Sequence, residues 1–464
     1  MKSVAIIGAG ITGLTTAFYL KRQGVPVTLF EASGRVGGVI QSIRKDGFLA
    51  EFGPNTILET SPKIAQLVLD AGLEARKLAT DPTAEARYVV RYGRPIEMPG
   101  KPLGFFTTPL FTAKAKFAVM REPFIKPRRD DVEESIAQFV VRRFNQEFLD
   151  HAIDALVAGI YAGDPHKLSL PHAFPKLKAL EDNYGSMIKG QIFGARRKSG
   201  EVAKDRAAKF SFDEGLQVLP DTLAAQLGDS LKLNSPVTKL TQTSTGWSVA
   251  TAGGETEFGA VIYCGTAHQL AELEIVDGRA ALPRSQNDEA AQQRRPTDMF
   301  CEISYPPVAS VVLGFRREDV AHSCQGFGML IPKIEGFKIL GTIFSSALFP
   351  NRAPAGHLNL TSYIGGARYP ELATLPPDQL VEAVLVDLRK LLGVRGQPTF
   401  VHTAFWPKAI PQYNVGYGKY RDLLNDLEAK SPNLFFAGHY RDGVSLGDSI
   451  VSAVNIAERV GKLF

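Results

Sequence analysis

The chain has 464 residues, of which 53 are Lys or Arg and 48 are Asp or Glu, so its formal net charge is +5. Hydrophobic residues make up 44% and charged residues 22%, a balance that excludes a disordered or fibrous protein. At about 150 residues per domain, the length predicts two or three domains. Three cysteines without a CxxC pair exclude a disulfide framework and a thiolate zinc site, and they favour a reducing compartment.

The first 31 residues predict a βαβ unit. An apolar strand over residues 4–7 is followed by a glycine-rich turn, a helix over residues 11–23 and a second strand over residues 25–31. The uncharged run 3–20 has 18 residues, close to the length of a membrane span. Its regular glycines and the lack of a cleavage site after it argue against a transmembrane helix and a signal peptide.

The turn after the first strand carries the GxGxxG pattern of dinucleotide-binding proteins. Its first glycine permits a tight turn, its second lets a pyrophosphate approach the backbone, and its third allows close packing of helix on strand. The phosphates would bind at the positive end of the helix dipole. Glu31 ends the second strand, where an acid accepts the ribose 2′-hydroxyl and repels the 2′-phosphate of NADP. The predicted cofactor contacts in the turn are Gly8, Ala9, Gly10, Ile11, Thr12 and Gly13.

The stretch after Glu31 distinguishes FAD from NAD. It repeats the ExxxRxGG pattern that follows the ribose acid in flavoproteins of the glutathione reductase type. Arg35 can meet phosphate charge there, and the glycine pair 37–38 lets the chain pass close to the cofactor. Residues 46–55, DGFLAEFGPN, are similar to the segment beneath the flavin ring in this superfamily. The predicted FAD contacts in these two stretches are Glu31, Ala32, Arg35, Gly38, Val39, Gly53, Pro54, Asn55 and Thr56.

The C-terminal part returns to a strand, a turn and a helix. A strand over residues 433–437 leads through glycines into a helix from about Ser449. Backbone amides of Val444, Ser445 and Leu446 at the helix start would stabilise negative charge on the reduced pyrimidine ring of a flavin. Asp448 is predicted to be the helix N-cap rather than a catalytic acid.

The remaining elements are predicted from periodicity and capping residues. Residues 232–265 and 300–366 alternate β-forming runs with turns, and leucine spacing predicts a helix over residues 378–392 that ends at Gly393. A further helix is predicted after Ser61 as N-cap, with Pro62 at its first position. Asp131 and Glu134 are predicted to form the capping box of another, which includes Ile136.

Several motifs together resemble oxygen-dependent protoporphyrinogen oxidases. They are GFLAEFGPNT (47–56), AGIYAGDP (158–165), AFPKL (173–177), EGLQVLP (214–220), WPKAIPQY (406–413) and GVSLGDSI (443–450). The resemblance covers essentially the whole chain. It implies an α/β Rossmann FAD-binding domain of the glutathione reductase type, an α+β substrate-binding domain and a helical membrane-associating domain. The implied boundaries are 1–85, 206–270 and 426–464 for the FAD domain, 86–98 and 271–425 for the substrate domain, and 99–205 for the helical domain.

The family's reaction removes six electrons from a porphyrinogen. Hydride passes from a methylene bridge to FAD, and molecular oxygen reoxidises the flavin to yield peroxide. Such chemistry depends on placing a carbon against the flavin face, so no catalytic side chain and no metal site are predicted. Matched residue by residue, the resemblance implies that Arg87 pairs with a substrate propionate, for which a bidentate, permanently charged group is suited. It also implies pocket contacts from Phe327, Gly328 and Leu330, an adenine contact from Val237 and a flavin contact from Trp406. His439 and Tyr440 depart from the family, which often has Asn or Ala-Ser there.

The predicted reaction is the oxidation of protoporphyrinogen IX to protoporphyrin IX, because the YAGDP and FPKL motifs look most like the membrane-bound forms. The main alternative is a coproporphyrinogen III oxidase, whose substrate exchanges vinyl groups for propionates and would need a wider, more cationic pocket. A flavin amine oxidase is a weaker alternative, since the cysteine motif for covalent flavin is missing. A non-catalytic flavoprotein that binds tetrapyrrole is the alternative from a different class.

Residues 101–127 mix basic and aromatic side chains. Such a mixture suits the headgroup region of an anionic membrane, although it also binds single-stranded nucleic acid. The sequence has no nucleic-acid-binding signature, so we expect a cytoplasmic protein that is attached peripherally to the inner face of the cell membrane. A homodimer and handover of product to ferrochelatase are further expectations. The cations are Lys101, Lys114, Lys116, Arg121 and Lys126, against Glu122, and the aromatic residues are Phe105, Phe106, Phe111, Phe117 and Phe124.

Overall fold

The computed structural model describes residues 3–100, 103–130, 132–194, 207–276 and 295–464. Lys101 and Asp131, which the sequence singled out, lie outside these ranges. The strands are β1 (Val4–Ile7), β2 (Val27–Phe30), β3 (Ser42–Lys45), β4 (Phe48–Glu51), β5 (Ile57–Leu58), β6 (Lys77–Ala79), β7 (Arg87–Arg91), β8 (Arg94–Glu97), β9 (Lys209–Phe212), β10 (Leu231–Lys232), β11 (Val237–Gln242), β12 (Trp247–Thr251), β13 (Gly254–Phe258), β14 (Ala260–Tyr263), β15 (Glu274–Val276), β16 (Val308–Arg316), β17 (Gly328–Leu330), β18 (Ile339–Phe344), β19 (His357–Gly365), β20 (Phe400–Trp406) and β21 (Leu434–Phe436). The α-helices are α1 (Ile11–Arg22), α2 (Pro62–Asp70), α3 (Gly104–Thr107), α4 (Ala113–Arg121), α5 (Ile136–Arg143), α6 (Gln146–Phe148), α7 (Asp154–Tyr161), α8 (Leu170–Ala173), α9 (Pro175–Tyr184), α10 (Met187–Gly194), α11 (Val218–Leu227), α12 (Ala267–Glu272), α13 (Ser345–Leu348), α14 (Pro377–Leu392), α15 (Gly418–Lys430) and α16 (Leu446–Gly461).

A five-stranded parallel sheet is built from three separated stretches of the chain. Its strand order is β10-β2-β1-β14-β21, and every pairing in it is parallel. The strands β1 and β14 are apolar and almost entirely buried, as expected for a sheet covered on both faces. The predicted βαβ unit is therefore confirmed, and α1 and α16 pack together beside the sheet.

A seven-stranded mixed sheet forms the second large layer. Its order is β20-β16-β19-β18-β17-β7-β8, and β7 pairs with β17 in parallel while the other neighbours are antiparallel. Helix α14 packs on it through buried Leu380, Val384 and Leu388. It ends before Gly393, whose φ of +64° gives the left-handed C-cap that the sequence predicted.

Helices α3 to α10 form a helical group whose buried residues share a hydrophobic core with the parallel sheet. Helix α5 begins after Ser135, which makes a capping box with Gln138. The prediction that Asp131 and Glu134 form the capping box of this helix is therefore wrong, and the Glu134 carboxylate instead pairs with Arg142 at 2.7 Å. The Arg142 guanidinium lies close enough to pair with the Glu134 carboxylate. Ser135 directly precedes the first residue of the helix, so its side chain provides the N-cap. Among the described residues, no helix is both long enough and apolar enough to cross a bilayer.

Candidate active site

The turn between β1 and α1 combines close packing with open space. Gly8 has φ +100°, and its N–H donates to the carbonyl oxygen of Phe30 at 2.7 Å, which ties the turn to β2. A Cβ atom built on Gly13 would lie 1.9 Å from the carbonyl oxygen of Gly8, so only glycine permits this approach of helix to turn. A Cβ atom built on Gly10 would meet no atom within 4 Å, so the chain borders open space there.

The start of α1 is suited to a negatively charged ligand. Its N-cap is Gly10, which provides no capping side chain, and its first turn contains no acidic residue. The first amides of a helix and the positive end of its dipole attract phosphate. The open space at Gly10 adjoins these amides, so the predicted turn fits the pyrophosphate of a dinucleotide cofactor. The residues that form the turn and the first positions of the helix are Gly8, Ala9, Gly10, Ile11, Thr12 and Gly13.

Glu31 lies directly beside this turn. Its carboxylate accepts the N–H of Ala9 at 2.7 Å and the N–H of Ser33 at 2.9 Å. The carbonyl oxygen of Glu31 accepts the N–H of Ser235 at 2.8 Å, which brings Val237 at the start of β11 to the same end of the site. Ala32 is exposed next to Glu31. The residues predicted for the adenosine half of FAD therefore come together.

Arg35 organises its own loop. Its guanidinium donates to the carbonyl oxygens of Val36 and Ile40 at 3.2 Å, and also to that of Gly38. The adjoining Gly37 bridges to Gly10, so the glycine pair lies against the predicted phosphate turn. In this arrangement the arginine shapes the loop that borders the cofactor, and a direct contact of Arg35 with phosphate stays a prediction.

The segment 53–56 passes close to the loop that contains Val39. A Cβ atom on Gly53 would lie 2.1 Å from the carbonyl oxygen of Val39, so the two backbones are in direct contact. The Val39 side chain is 46% exposed, as expected for a residue that borders a ligand space. Asn55 is buried, while its neighbours Pro54 and Thr56 are partly exposed.

Side chains from the seven-stranded sheet reach this segment and Phe52, which directly precedes it. Trp406 donates through Nε1 to the carbonyl oxygen of Phe52 at 3.0 Å. The hydroxyl of Tyr363 donates to the carbonyl oxygen of Gly53 at 2.9 Å and accepts the Asn55 amide at 2.5 Å. Sequence reasoning missed Tyr363, because it lies 308 residues from Asn55 and no motif surrounds it. Only the register of β19 places it here.

The C-terminal turn leads into α16. Its N-cap is Ser445, whose hydroxyl accepts the N–H of Asp448 at 3.1 Å, while the Asp448 carboxylate accepts the N–H of Ser445 at 3.2 Å. The prediction of Asp448 as the N-cap is therefore wrong by three residues, since it is the acidic partner in a capping box. Val444 and Leu446 flank this cap. The Ser445 amide is already engaged by Asp448, and an acid sits in the first turn, in contrast to α1.

Three of the four predicted substrate contacts, Arg87, Gly328 and Leu330, lie on two neighbouring strands, and the fourth, Phe327, directly precedes one of these strands. Gly328 pairs with Arg87 in register, and Leu330 pairs with Val89. The Arg87 guanidinium lies 6.0 Å from the centre of the Phe327 ring. Arg87 is exposed, so its charge is available to a ligand.

Glycines allow close packing around these strands. Gly328 has φ +149°, and a Cβ atom on it would lie 2.3 Å from the carbonyl oxygen of Thr342. A Cβ atom on Gly159 of α7 would lie 2.6 Å from the Leu330 side chain. The helix that carries the AGIYAGDP motif therefore packs directly on Leu330, and together they form one wall next to Arg87.

Two histidines lie close to the cofactor turns. Nε2 of His439 is 3.4 Å from the hydroxyl of Tyr305, and Nε2 of His268 is 3.1 Å from the hydroxyl of Thr266. Burial, with a smaller effect of His268, lowers the pKa of His439 to about 4. Burial, followed by the charge of Lys408, likewise lowers the pKa of His268 to about 4. Neither imidazole belongs to a metal site, since no group of three or more His, Cys, Asp or Glu side chains in the described ranges is arranged to hold an ion.

Glu51 is a buried carboxylate at the end of β4. It accepts the Ser42 hydroxyl at 2.6 Å and the Leu216 N–H at 2.8 Å, and it lies 3.7 Å from the Arg352 guanidinium. Burial raises the pKa of Glu51 to about 7, against the lowering effects of these partners. Glu51 directly precedes Phe52, so this titratable group supports the segment that meets Trp406 and Tyr363.

The chain is similar to known proteins over nearly its whole length. Residues 11–461 match the family model described as flavin containing amine oxidoreductase. The chain is 36% identical to protoporphyrinogen oxidase 2, chloroplastic/mitochondrial, of Arabidopsis thaliana, over 99% of this chain and 94% of that protein. It is 30% identical to coproporphyrinogen III oxidase of Bacillus subtilis (strain 168), over 97% and 96% of the two chains. A crystal structure from Exiguobacterium sp. 255-15 superposes with a TM-score of 0.81 at 22% identity, over 100% of this chain and 99% of that chain.

Proposed function

This chain belongs to the flavin containing amine oxidoreductase family, and from that premise we propose that it oxidises protoporphyrinogen IX to protoporphyrin IX. FAD is its cofactor and, when bound, supplies the hydride acceptor that molecular oxygen reoxidises. The observation that carries the substrate proposal is the 36% identity to the Arabidopsis protoporphyrinogen oxidase over nearly the full length of both chains. This likeness favours a porphyrinogen over an amine.

Under this proposal, the chain's own residues bind and orient rather than transfer protons. Arg87 pairs with a propionate of the substrate, because an exposed guanidinium offers two parallel hydrogen bonds to a carboxylate. Phe327, Gly328 and Leu330 lie beside it and supply an apolar wall for the macrocycle. Such placement lets a methylene bridge approach the cofactor, which is the main requirement of a hydride transfer.

We propose a matching division of the chain. The parallel sheet and its helices act as the FAD domain (1–85, 206–270 and 426–464). The seven-stranded sheet acts as the substrate domain (86–98 and 271–425), and the helical group acts as the third domain (99–205). The pairing of β7 with β17 supports assigning 86–98 to the substrate domain, because that short stretch completes its sheet.

Coproporphyrinogen III is the second candidate substrate, since a coproporphyrinogen III oxidase also matches over nearly the whole chain. The two substrates differ in their number of carboxylates, so Arg87 alone does not separate them. Purified protein loaded with FAD would be given each porphyrinogen in turn, and porphyrin fluorescence would be compared with autoxidation without enzyme. Faster turnover of one substrate identifies it.

The Arg87→Ala variant tests the substrate-binding role. A charged hydrogen bond contributes about 1.5–3 kcal/mol, so kcat/KM should fall about tenfold to a hundredfold while FAD absorbance is retained. Arg87→Lys should recover part of the loss, because it restores charge without the bidentate geometry. If FAD is bound and neither porphyrinogen reacts above the control, the proposal fails. A flavin amine oxidase or a non-catalytic tetrapyrrole-binding flavoprotein then replaces it.

We also propose that the helical domain attaches to a membrane surface. Its large apolar side chains are unusually open to solvent, with Phe124 at 83%, Phe117 at 62% and Ile192 at 62% exposure. Exposed cations lie among them, which suits an anionic headgroup layer. The exposed cations described here are Lys114, Arg121 and Lys126, while Lys116 donates to backbone carbonyls of Phe106 and Thr108.

Vesicle sedimentation tests this attachment. Phosphatidylglycerol vesicles should retain the protein at low salt, and phosphatidylcholine vesicles should retain less. Phe117→Ser/Phe124→Ser should release it, whereas Leu69→Ser, an exposed apolar residue of α2, should not. Equal binding by both variants would contradict the proposal. A homodimer and transfer of porphyrin to ferrochelatase stay predictions.

A further inference from the structure

The segment 52–55 is held by three side chains from the seven-stranded sheet. The carbonyl oxygen of Phe52 accepts the Ser310 hydroxyl at 2.7 Å and Trp406 Nε1 at 3.0 Å. The carbonyl oxygen of Gly53 accepts the Tyr363 hydroxyl at 2.9 Å. These donors are 258 to 354 residues away from the carbonyls that they meet.

The three donors share one face of the sheet because of strand register. Ser310 of β16 lies opposite Tyr363 of β19, and on the other side β16 pairs Val308 with Trp406 of β20. Side chains of directly paired residues, and of residues two positions apart, point to the same face of a sheet. Three adjacent strands thus present a hydroxyl, a phenol and an indole N–H to one short loop.

This arrangement removes the rotational freedom of the loop. A carbonyl with both lone pairs engaged cannot turn without losing a hydrogen bond, and a buried unpaired carbonyl costs about 1–3 kcal/mol. The peptide between Phe52 and Gly53 is planar and trans, so holding its carbonyl also fixes its N–H on the opposite side, away from the sheet. Tyr363 adds a second constraint, since it accepts the Asn55 amide at 2.5 Å.

The three donors stay in one protonation state at working pH. Burial raises the pKa of the Tyr363 phenol above its usual range, so it remains a donor. Serine and indole do not titrate there. These hydrogen bonds therefore do not depend on the titration of their donors at working pH.

We propose that Ser310, Tyr363 and Trp406 are positioning residues that clamp the Phe52–Asn55 segment and thereby set the electronic environment of the bound flavin. The inference rests on the proposed function, because it takes Gly53 to Thr56 as flavin contacts. Backbone dipoles next to a flavin change the relative stability of its oxidised and reduced forms. A loop that is free to turn would alter that balance without changing the substrate pocket at Arg87.

The test compares FAD-loaded Tyr363→Phe with a control, Tyr420→Phe. The Tyr420 hydroxyl also donates a hydrogen bond, to the Glu302 carboxylate at 3.3 Å, but outside the clamped segment and outside the substrate wall. The readouts are the visible spectrum and midpoint potential of bound FAD, followed by kcat and KM. Tyr363→Phe should shift the ratio of affinities for oxidised and reduced flavin at least tenfold, about 30 mV for a two-electron couple. The kcat should fall about tenfold with KM within twofold, and the control should match the wild type.

Ser310→Ala is the second variant, since it keeps the aromatic core and removes only one donor. If Tyr363→Phe does not hold FAD, Ser310→Ala alone tests the proposal. Ser310→Ala should shift the midpoint potential of bound FAD in the same direction as Tyr363→Phe. Wild-type potentials and spectra in both loaded variants, or an equal shift in Tyr420→Phe, would overturn the proposal. Measuring the midpoint potential of bound FAD requires no porphyrinogen. A wild-type protein that fails to oxidise porphyrinogens would therefore refute the proposed function, while the potentials of the variants would still test the positioning role.

Discussion

Replacing Glu51 by glutamine should change how the stability of this protein depends on pH. Glu51 is buried at the end of β4 beside buried Arg352, and it accepts hydrogen bonds from Ser42 and Leu216. Its pKa of about 7 in the folded protein exceeds its ordinary value of 4.5. Between these values the folded protein holds a proton that the unfolded chain releases.

The sign and size of the effect on stability follow from the difference between the pKa of Glu51 in the folded protein and its ordinary value. The stability contributed by the bound proton is fully present below pH 4.5 and is lost as the pH rises through 7. The 2.5-unit difference between 7 and 4.5 corresponds, at about 1.4 kcal/mol per pKa unit, to about 3 kcal/mol. Glutamine cannot ionise, so Glu51→Gln avoids this loss. The free energy of unfolding of the wild type minus that of the variant should therefore fall by about 3 kcal/mol between pH 4.5 and pH 8.

Urea unfolding followed by circular dichroism at pH 5, 6, 7 and 8 measures this difference. The FAD concentration must be fixed, because ligand binding shifts apparent stability. Glu214→Gln is the control, since that carboxylate is half-exposed and paired with Arg44. It should follow the wild-type profile. A difference that stays constant, or that grows with pH because Arg352 holds the pKa of Glu51 below 4.5, would refute the reasoning.

Three further substitutions test the cofactor turn, the substrate wall and the buried imidazole. Gly13→Ala should weaken FAD binding by at least about tenfold, because its Cβ would lie 1.9 Å from the Gly8 carbonyl oxygen; flavin absorbance of the purified protein measures this. Gly328→Ala should destabilise the fold by about 1–3 kcal/mol, seen as a lower melting temperature, because φ is +149° and Thr342 is in the way. His439→Asn should leave the pH profile of kcat unchanged between pH 6 and 8, since a group with a pKa of about 4 is neutral there.

Controls for these three predictions are available in the same chain. Gly100→Ala should retain both FAD and melting temperature, because a Cβ atom there meets no atom within 4 Å. Full flavin content in Gly13→Ala would show that the turn can open at little cost. An unaltered melting temperature in Gly328→Ala would show that β18 can move aside. Loss of a titration step near pH 6.5 in His439→Asn would mean that the imidazole is charged in the working enzyme.

The turn between β1 and α1 could be predicted from the sequence because all of its determinants are local. The strand, the three glycines, the helix and Glu31 lie within 31 residues, and each has a conformational or electrostatic reason for its position. Helix α14 was equally predictable, since its leucine spacing and Gly393 are properties of one short segment. The family resemblance added Arg87 and the residues around Gly328, which composition and periodicity alone leave as an ordinary strand and turn.

Which side chains contact these local motifs depends on long-range packing and could not be predicted from the sequence. Arg35 turned towards the carbonyls of its own loop, and Asp448 became the partner of Ser445 rather than the cap itself. Tyr363 and Ser310 carry no motif, yet the register of β16 and β19 brings them to one loop. The physical reason is that a strand's register depends on partners far away in the chain, and a shift of one residue would turn these side chains to the other face. Local pattern encodes the glycine turn between β1 and α1, whereas long-range strand pairing selects the side chains that hold the segment 52–55.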